Sequence, residues 1–209
     1  MKSVIIIGTG TIAREVIRII ENINSKRETW KIVGLVSTTN EIEEENVEGY
    51  RVISMIDSIY NYFDNKKKDR FNFFKKLESE NELYVSVAID NYEIKKDIVT
   101  KLNGKVKFAT IVHPDINYME KNKIGEGSIV YPGMINVGFF DVGKHVIIKQ
   151  RVSLGNNVKI GDYAFVSLNS NIDSNVIIDD GVYIEANTTI LANNKIDKET
   201  YIKTGSLIF

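Results

Sequence analysis

The sequence predicts an N-terminal α/β domain with a parallel sheet, followed by a left-handed parallel β-helix built from hexapeptide repeats. Residues 123–209 divide into hexads without a break, and the second place of each holds Ile, Val or Leu except at Asn136. A period of six with aliphatic anchors is typical of a β-helix, because each short strand contributes one inward side chain that only the neighbouring coil can bury. Residues 1–112 instead alternate short apolar runs with helical stretches, which indicates βα units.

The fifth place of the hexads supports the β-helix. Gly or Asn stands there in nine of fourteen complete hexads, and these residues accept the left-handed backbone that a tight corner requires. An ordinary β-sandwich would show turns at irregular spacing and no fixed corner residue, so the unbroken register favours the β-helix.

Within the first domain we predict five strands and three helices. The strands span residues 3–7, 31–36, 49–54, 83–89 and 106–111, and the helices span residues 14–22, 57–77 and 91–102. The first strand is almost wholly apolar, as expected when a parallel strand is buried on both faces. His113 and Pro114 end this domain, because proline forces the residue before it into an extended conformation. We therefore place the domains at residues 1–112 and 113–209.

Bulk composition excludes several classes of protein. The net charge is −1 and no basic stripe is present, so we expect no nucleic-acid partner. The chain has no cysteine, which excludes disulfides and thiolate sites and fits a cytoplasmic protein. The apolar run near the N-terminus is too short for a signal segment or a membrane span, so we expect no membrane insertion. No metal site is predicted.

A glycine turn follows the first strand, with the sequence Gly8-Thr9-Gly10-Thr11-Ile12-Ala13. Gly8 permits a tight turn, and Gly10 lets backbone N–H groups approach an anionic ligand at the helix N-terminus. We predict that Gly8, Gly10, Thr11 and Ile12 bind a nucleotide. The alternative is a tight turn that only packs an α/β unit.

Ser37 and Thr38 follow the second strand, where a dinucleotide site would carry an acidic residue for the ribose hydroxyls. The missing carboxylate argues against an NAD enzyme. The two hydroxyls remain candidates for hydrogen bonds to a base or sugar.

The whole chain resembles the sugar acyltransferases that include sialic acid O-acetyltransferase and the N-acetyltransferases of nucleotide-linked 4-amino sugars. The resemblance rests on the segments VIIIGTGTIA and ATIVHPDI and on the hexads. It implies that the first domain binds a nucleotide-linked sugar and that the β-helix forms a homotrimer. It also implies an acyl-CoA groove between neighbouring helices and a role in surface-glycan biosynthesis. The residues expected to contact acyl-CoA are Phe165, Ser174, Ala186, Ala192 and Thr204.

The chain departs from this family at the residues that carry the chemistry. The family's general-base histidine falls on Asn156, the glutamate before it on Gly155, and a second histidine on Phe165. Members usually have Gly-Gly-His where this chain has Gly10-Thr11-Ile12.

Only two histidines remain. We interpret His113 as a structural residue of the domain junction. His145 lies at a hexad corner on a different side of the coil from Asn156, and we expect it to face solvent or an interface. The alternative role for His145 is a relocated base.

Loss of the base changes the expected reaction. An alcohol needs a base to remove its proton, whereas a neutral amine is already a nucleophile. The sequence therefore favours N-acyl transfer to an amino sugar, with Asn156 and backbone N–H groups as donors to the thioester oxygen. Two alternatives stay open, namely a sialic acid type O-acyltransferase and an inactive trimeric binding or scaffold protein.

Overall fold

The computed structural model describes residues 1–39, 41–64 and 82–209. They form two compact units, Met1–Ala109 and Thr110–Phe209. The division falls after residue 109 and not after residue 112, because strand Ile111–Val112 pairs with Ile129–Val130 of the second unit.

The first unit is the predicted α/β domain with a parallel sheet. Its strands are β1 (Lys2–Ile7), β2 (Trp30–Ser37), β3 (Asn46–Val47), β4 (Tyr50–Met55), β5 (Leu83–Val87) and β6 (Lys107–Phe108). Its helices are α1 (Thr11–Lys26), α2 (Ile56–Phe63) and α3 (Tyr92–Leu102). The strand order is β3-β4-β2-β1-β5-β6, and β3 pairs antiparallel with β4 while the other pairs are parallel. The order reverses between β1 and β5, which is where open α/β sheets bind ligands at the carboxyl ends of their strands.

Two details of the predicted first domain are wrong. The run predicted as one strand over residues 106–111 is two strands in different sheets, β6 and β7 (Ile111–Val112). The antiparallel edge strand β3 was not predicted. The helix predicted over residues 57–77 begins as α2, and most of its predicted length lies outside the described residues.

The second unit is a parallel β-helix with three faces, which we name A, B and C. Face A contains β10 (Ile135–Asn136), β13 (Ser153–Leu154), β16 (Asn171–Ile172), β19 (Thr189–Ile190) and β22 (Leu207–Ile208). Face B contains β8 (Lys123–Ile124), β11 (Phe140–Val142), β14 (Val158–Ile160), β17 (Ile177–Ile178) and β20 (Lys195–Ile196). Face C contains β7, β9 (Ile129–Val130), β12 (Ile147–Ile148), β15 (Phe165–Val166), β18 (Tyr183–Ile184) and β21 (Tyr201–Ile202).

The predicted hexad register is confirmed. Each strand pairs in parallel with the strand one coil later, as Leu154 does with Ile172 and Ile172 with Ile190. The second-place side chains form the core, and Val130, Val166 and other members of this column are fully buried. The polar exception, Asn136, donates its amide to the carbonyl of Asn117 at 2.7 Å. Burial of these stacked aliphatic columns stabilises the fold.

The corners also behave as the fifth place predicts. Thirteen of the fourteen complete hexads have a positive φ there, and the one that does not contains Phe139. Four of these corner residues are neither Gly nor Asn, namely His145, Arg151, Tyr163 and Glu199. Within the described part of the chain, no helix is both long enough and apolar enough to cross a membrane.

Candidate functional site

Gly8 lies at the carboxyl end of β1, where its lack of a side chain is required by the fold. Its φ is +118°, and a Cβ atom there would stand 2.8 Å from the carbonyl oxygen of Ala88 at the end of β5. Its N–H donates to the carbonyl of Val36 in β2 at 2.9 Å. Gly8 therefore packs the turn between the two strands that flank β1.

Gly10 is different, because no described residue requires a glycine there. It is the N-cap of α1 with φ −79° and ψ −163°, and no atom of the described residues lies within 4 Å of the position that a Cβ would take. Within the same part of the chain no side chain caps this helix end, and the first turn of α1 contains no acidic residue. An open, uncapped helix N-terminus next to the reversal of the strand order suits an anionic ligand.

The other residues predicted for this site differ in accessibility. Thr11 is exposed, whereas the Ile12 side chain is 8% exposed and belongs to the core, so only its backbone is available to a ligand. Ser37 is buried, and its hydroxyl donates to the carbonyl of Glu41 at 3.1 Å and accepts the N–H of Thr39 at 3.2 Å. The Ser37 hydroxyl therefore holds the loop after β2, while Thr38 stays partly exposed.

Lys95 is a charged group that the sequence analysis missed. It lies in the first turns of α3, directly after β5, and is 1% exposed. Burial lowers the pKa of Lys95 to about 7, while the charge of Asp90 acts to raise it. The signal was present in the sequence, because Lys95 stands at helical spacing from the buried Ile98, Val99 and Leu102.

Asn156 lies at the corner between faces A and B, which we call the AB corner. It comprises residues 137–139, 155–157, 173–175 and 191–193. The Asn156 Oδ1 accepts the N–H of Phe139 at 3.0 Å, and the Asn156 N–H donates to Ser174 Oγ at 3.1 Å. A Cβ atom at Gly138 would collide with the Asn156 carboxamide. The bond to Oδ1 fixes the amide, so that its Nδ2 group remains as a donor at this exposed corner.

A groove of about 280 Å³ runs along face A and reaches this corner. Its walls include the aliphatic side chains of Val137 and Leu191 and the polar side chains of Ser153, Asn171, Asp173 and Thr189. The lining contains one carboxylate, Asp173, and neither an imidazole nor a cationic side chain. A long, partly apolar acyl carrier would fit such a surface better than a compact anion would.

The structure brings together some of the predicted acyl-CoA residues. Ser174 and Ala192 occupy the AB corner with Asn156, in the fourth place of successive coils. Ala186 and Thr204 lie at the corner between faces C and A, and Phe165 lies on face C. The Phe165 ring is 5% exposed and stacks on Tyr183 with ring centroids 4.5 Å apart. A single chain therefore does not gather the five residues into one site.

Both imidazoles are buried. His145 is 5% exposed, stacks on Tyr163 with ring centroids 5.2 Å apart, and covers Gly127, where a Cβ would collide with the ring. We expected His145 to face solvent or an interface, and within one chain its side chain is buried. It does lie at a different corner from Asn156, between faces B and C. His113 is 6% exposed, and its Nδ1 accepts the N–H of Asp115 at 3.3 Å. Among the described residues, no group of three or more His, Cys, Asp or Glu side chains could hold a metal ion.

Comparison with known proteins gives matches among solved structures. No family model and no curated protein matches the sequence. The chain is similar to a histidine-to-asparagine mutant of perosamine N-acetyltransferase from Caulobacter crescentus, solved with CoA and GDP-perosamine. This match has 16% identity and a TM-score of 0.62, and it covers 97% of this chain and 92% of that one.

Two further structures are similar over nearly their whole length. The acetyltransferase domain of PglB from Neisseria gonorrhoeae, solved with acetyl coenzyme A, shares 17% identity with a TM-score of 0.60, covering 99% of this chain and 95% of that one. WeeI from Acinetobacter baumannii shares 16% identity with a TM-score of 0.67, covering 97% and 94%. These likenesses show the fold, which is that of two-domain proteins with an α/β unit followed by a parallel β-helix.

Proposed function

We propose that the protein is an acyl-CoA-dependent N-acyltransferase that acts on the amino group of a nucleotide-linked amino sugar in surface-glycan biosynthesis. The observation that carries the proposal is the whole-length fold match to perosamine N-acetyltransferase, whose structure contains CoA and GDP-perosamine. The open helix end at Gly10 and the groove beside Asn156 are this chain's own candidates for the two substrates. The proposed place of action is the cytoplasm.

The proposed reaction needs no imidazole. The neutral amine of the sugar attacks the thioester carbon, a C–N bond forms, and the C–S bond of acyl-CoA breaks as the intermediate collapses. The proton released by nitrogen is finally taken by the departing thiolate or by water. The protein must then supply alignment, which is worth roughly 7–11 kcal/mol when reactants are well oriented. It must also supply a donor to the thioester oxygen, a role that the Asn156 Nδ2 would fill.

The residues predicted for acyl-CoA support a groove shared between copies of the chain. Ser174 and Ala192 lie at one corner, whereas Ala186 and Thr204 lie at another. A homotrimer would place the corner of one copy beside a different corner of the next, so residues separated within one chain would line a common groove. We therefore include the homotrimer in the proposal.

One observation favours a second candidate, an inactive binding or scaffold protein. The bond from Asn156 Oδ1 to the preceding coil is repeated elsewhere in the β-helix, because Asp162 Oδ1 accepts the N–H of Lys144 at 2.8 Å and Asp180 Oδ1 that of Asp162 at 2.9 Å. Asn156 thus has a structural task that needs no catalysis. A structural role of this kind explains why position 156 would be Asn in a protein that binds its ligands but does not catalyse acyl transfer.

One experiment separates these functions. The protein is mixed with a panel of acyl-CoAs and nucleotide-linked amino sugars, and release of CoA thiol is followed with a thiol reagent. We expect release only when both substrates are present, with mass spectrometry showing an amide on the sugar. Acyl-CoA without sugar is the control for hydrolysis. An ester product would identify an O-acyltransferase, and absence of thiol release from every pair, with the folded state verified, would identify the scaffold.

A further inference from the structure

Phe139 marks the one complete hexad of the β-helix whose corner departs from the repeat. In the other thirteen complete hexads the fifth residue has a positive φ, in the left-handed region, whereas the φ of Phe139 is not positive. Its side chain is 47% exposed. Exposing a large aromatic side chain forfeits the gain of burying it, which is about 1.5–3 kcal/mol for a full side chain. Departures from an otherwise consistent pattern are expected at functional positions.

The backbone of Phe139 is held by three hydrogen bonds. Its N–H donates to Asn156 Oδ1 at 3.0 Å, and its carbonyl accepts the N–H groups of Asn157 at 2.6 Å and Val158 at 3.3 Å. The ring is therefore attached to a well-anchored segment and not to a loose loop. A fixed aromatic surface binds a flat ligand at a lower entropic cost than a mobile one.

A pocket of about 220 Å³ lies beside this ring on face B. Lys121, Lys123 and Lys159 line it together with one carboxylate, Asp141. Asp141 pairs in register with Lys123 on one side and Lys159 on the other, so these three side chains form one outward row. The Lys121 Nζ lies 5.9 Å from the centroid of the Phe139 ring. Three ammonium groups and one carboxylate give the pocket a positive charge beside an exposed aromatic ring.

We infer that this pocket binds a nucleoside that carries at least two phosphate groups, with its base against Phe139 and its phosphates near the lysines. Aromatic rings stack on any base, and clustered lysines attract phosphate. The face A groove has no cationic lining, so the phosphates of a substrate bound there find no counter-charge in it. The face A groove and this face B pocket lie on opposite sides of the AB corner, and the corner residue Asn157 lines the pocket.

The choice of nucleotide rests on the proposed function. Both proposed substrates contain a phosphorylated nucleoside, because acyl-CoA carries an adenosine with a 3′-phosphate and a 5′-diphosphate, and the acceptor sugar carries a nucleoside 5′-diphosphate. The two sources differ in the position of the phosphates. Adenosine 3′,5′-bisphosphate and a set of nucleoside 5′-diphosphates therefore serve as probes that tell them apart.

The test is calorimetric titration of the full-length protein with each probe at low and moderate salt. Phe139→Ala should weaken binding on the order of 5- to 100-fold, the effect of losing one base-stacking surface. Lys123→Gln and Lys159→Gln should each weaken it about 2- to 5-fold, as expected for exposed charges, and the loss should shrink as salt rises. Lys195→Gln is the matched control, because Lys195 lies in the same outward row of face B but outside the pocket. Thermal melting verifies that each variant folds.

Tighter binding of adenosine 3′,5′-bisphosphate would assign the pocket to the acyl donor. Tighter binding of a 5′-diphosphate would assign it to the acceptor, whose nucleotide would then bind here and not at Gly10. Either result supports the inference if Phe139→Ala weakens binding of that probe and Lys195→Gln does not. If no probe binds, or if Phe139→Ala leaves binding unchanged, the inference is wrong. Thiol release from acyl-CoA is measured separately on the same samples, so failure of the pocket is distinguishable from failure of the proposed activity.

Discussion

Asn156 has two separable parts that allow its roles to be tested one at a time. Its Oδ1 accepts the N–H of Phe139 at 3.0 Å, and its Nδ2 is the proposed donor to the thioester oxygen. An aspartate would keep the acceptor and remove the donor, and Asp162 and Asp180 show that a carboxylate in the same place of the hexad can accept a backbone N–H of the preceding coil. An alanine would remove both.

We predict that Asn156→Asp and Asn156→Ala both lower kcat on the order of 10²–10³-fold, the effect of losing one oxyanion donor of about 2.7–4 kcal/mol. Only Asn156→Ala should also destabilise the fold, because it leaves the Phe139 N–H without its acceptor. Steady-state kinetics and thermal melting measure the two effects. Full activity of Asn156→Asp would show that Nδ2 is not a catalytic donor.

His145 serves as the matched test of the base-free mechanism. His145→Asn removes the imidazole but suits the corner, because Asn accepts the φ of 57° that this position has. The loss of the stack on Tyr163 should cost roughly 0.5–1.5 kcal/mol of stability, and kcat should stay nearly intact. We expect kcat/KM to rise with deprotonation of the sugar amine in both proteins. A several-thousand-fold loss of rate in His145→Asn, with substrate affinity preserved, would show that a relocated histidine acts as the base.

At the scale of the elements, the turn from β1 to α1 separates a glycine that the fold requires from one that it does not. We predict that Gly10→Val lowers the affinity for nucleotide sugar at least tenfold, because a branched side chain fills the open space at the helix N-terminus. Stability should fall by less than about 1 kcal/mol, since φ is −79° and the remaining cost is that Val is a poorer N-cap residue than Gly. Calorimetry measures the affinity, and unchanged binding would place the nucleotide elsewhere. Gly8→Ala is the contrast, and it should destabilise the domain because of its φ of +118° and the contact with Ala88.

The AB corner contains a ladder of asparagines that stabilises the β-helix. Asn157 Nδ2 donates to Asn175 Oδ1 at 3.0 Å, and Asn175 Nδ2 donates to Asn193 Oδ1 at 3.1 Å. We predict that Asn175→Ala lowers the free energy of unfolding by about 1–2 kcal/mol from the left-handed backbone alone, with a further loss from the ladder. Asn175→Gly should lose only the ladder. Chemical unfolding of both variants gives the difference, and equal stabilities would mean that the φ of 61° carries no cost here.

On the scale of the whole molecule, the parts predicted correctly are those that depend on short-range pattern. The hexad register follows from aliphatic residues that recur every six places, and the burial of Val130 and Val166 confirms it. The run over residues 106–111 was misassigned because its apolar pattern is continuous, whereas the choice of partner strand divides it between two sheets. Pairing with a distant strand is not visible in a local run of residues.

The environment of the candidate site depends on side-chain contacts between adjacent coils. The hexad repeat does not specify which side chains make these contacts. His145 is buried because Gly127 and Tyr163 lie below and above it in the stack. Asn156 is oriented because Gly138 leaves room for its carboxamide. These neighbours are eighteen residues apart in sequence, and the hexad pattern fixes their position but not which side chain stands there.

Self-association is the property of the whole molecule that the exposed surface predicts. Large apolar side chains are exposed on face A and along its AB corner, namely Ile135 at 61%, Val137 at 73%, Leu207 at 49% and Phe209 at 84%. They lie at the two ends of face A, where Ser153, Asn171 and Thr189 separate Ile135 from Leu207. Exposed apolar side chains on one face, bordered by polar residues, are typical of an interaction site. We therefore predict that face A, with Val137 at its edge, forms the interface of the homotrimer, which would cover these side chains and leave Phe139 on the side of face B.

Sedimentation of the protein at micromolar concentration should give the mass of three chains. Val137→Glu should dissociate the trimer and weaken acyl-CoA binding, because it places a charge in the interface beside the groove. It should leave the folded chain within about 0.5 kcal/mol of its original stability, since Val137 is 73% exposed within one chain. Ile177→Glu is the control, because Ile177 is an exposed aliphatic residue on face B. A wild-type monomer would remove the shared groove, and acyl-CoA would then have to bind within a single chain.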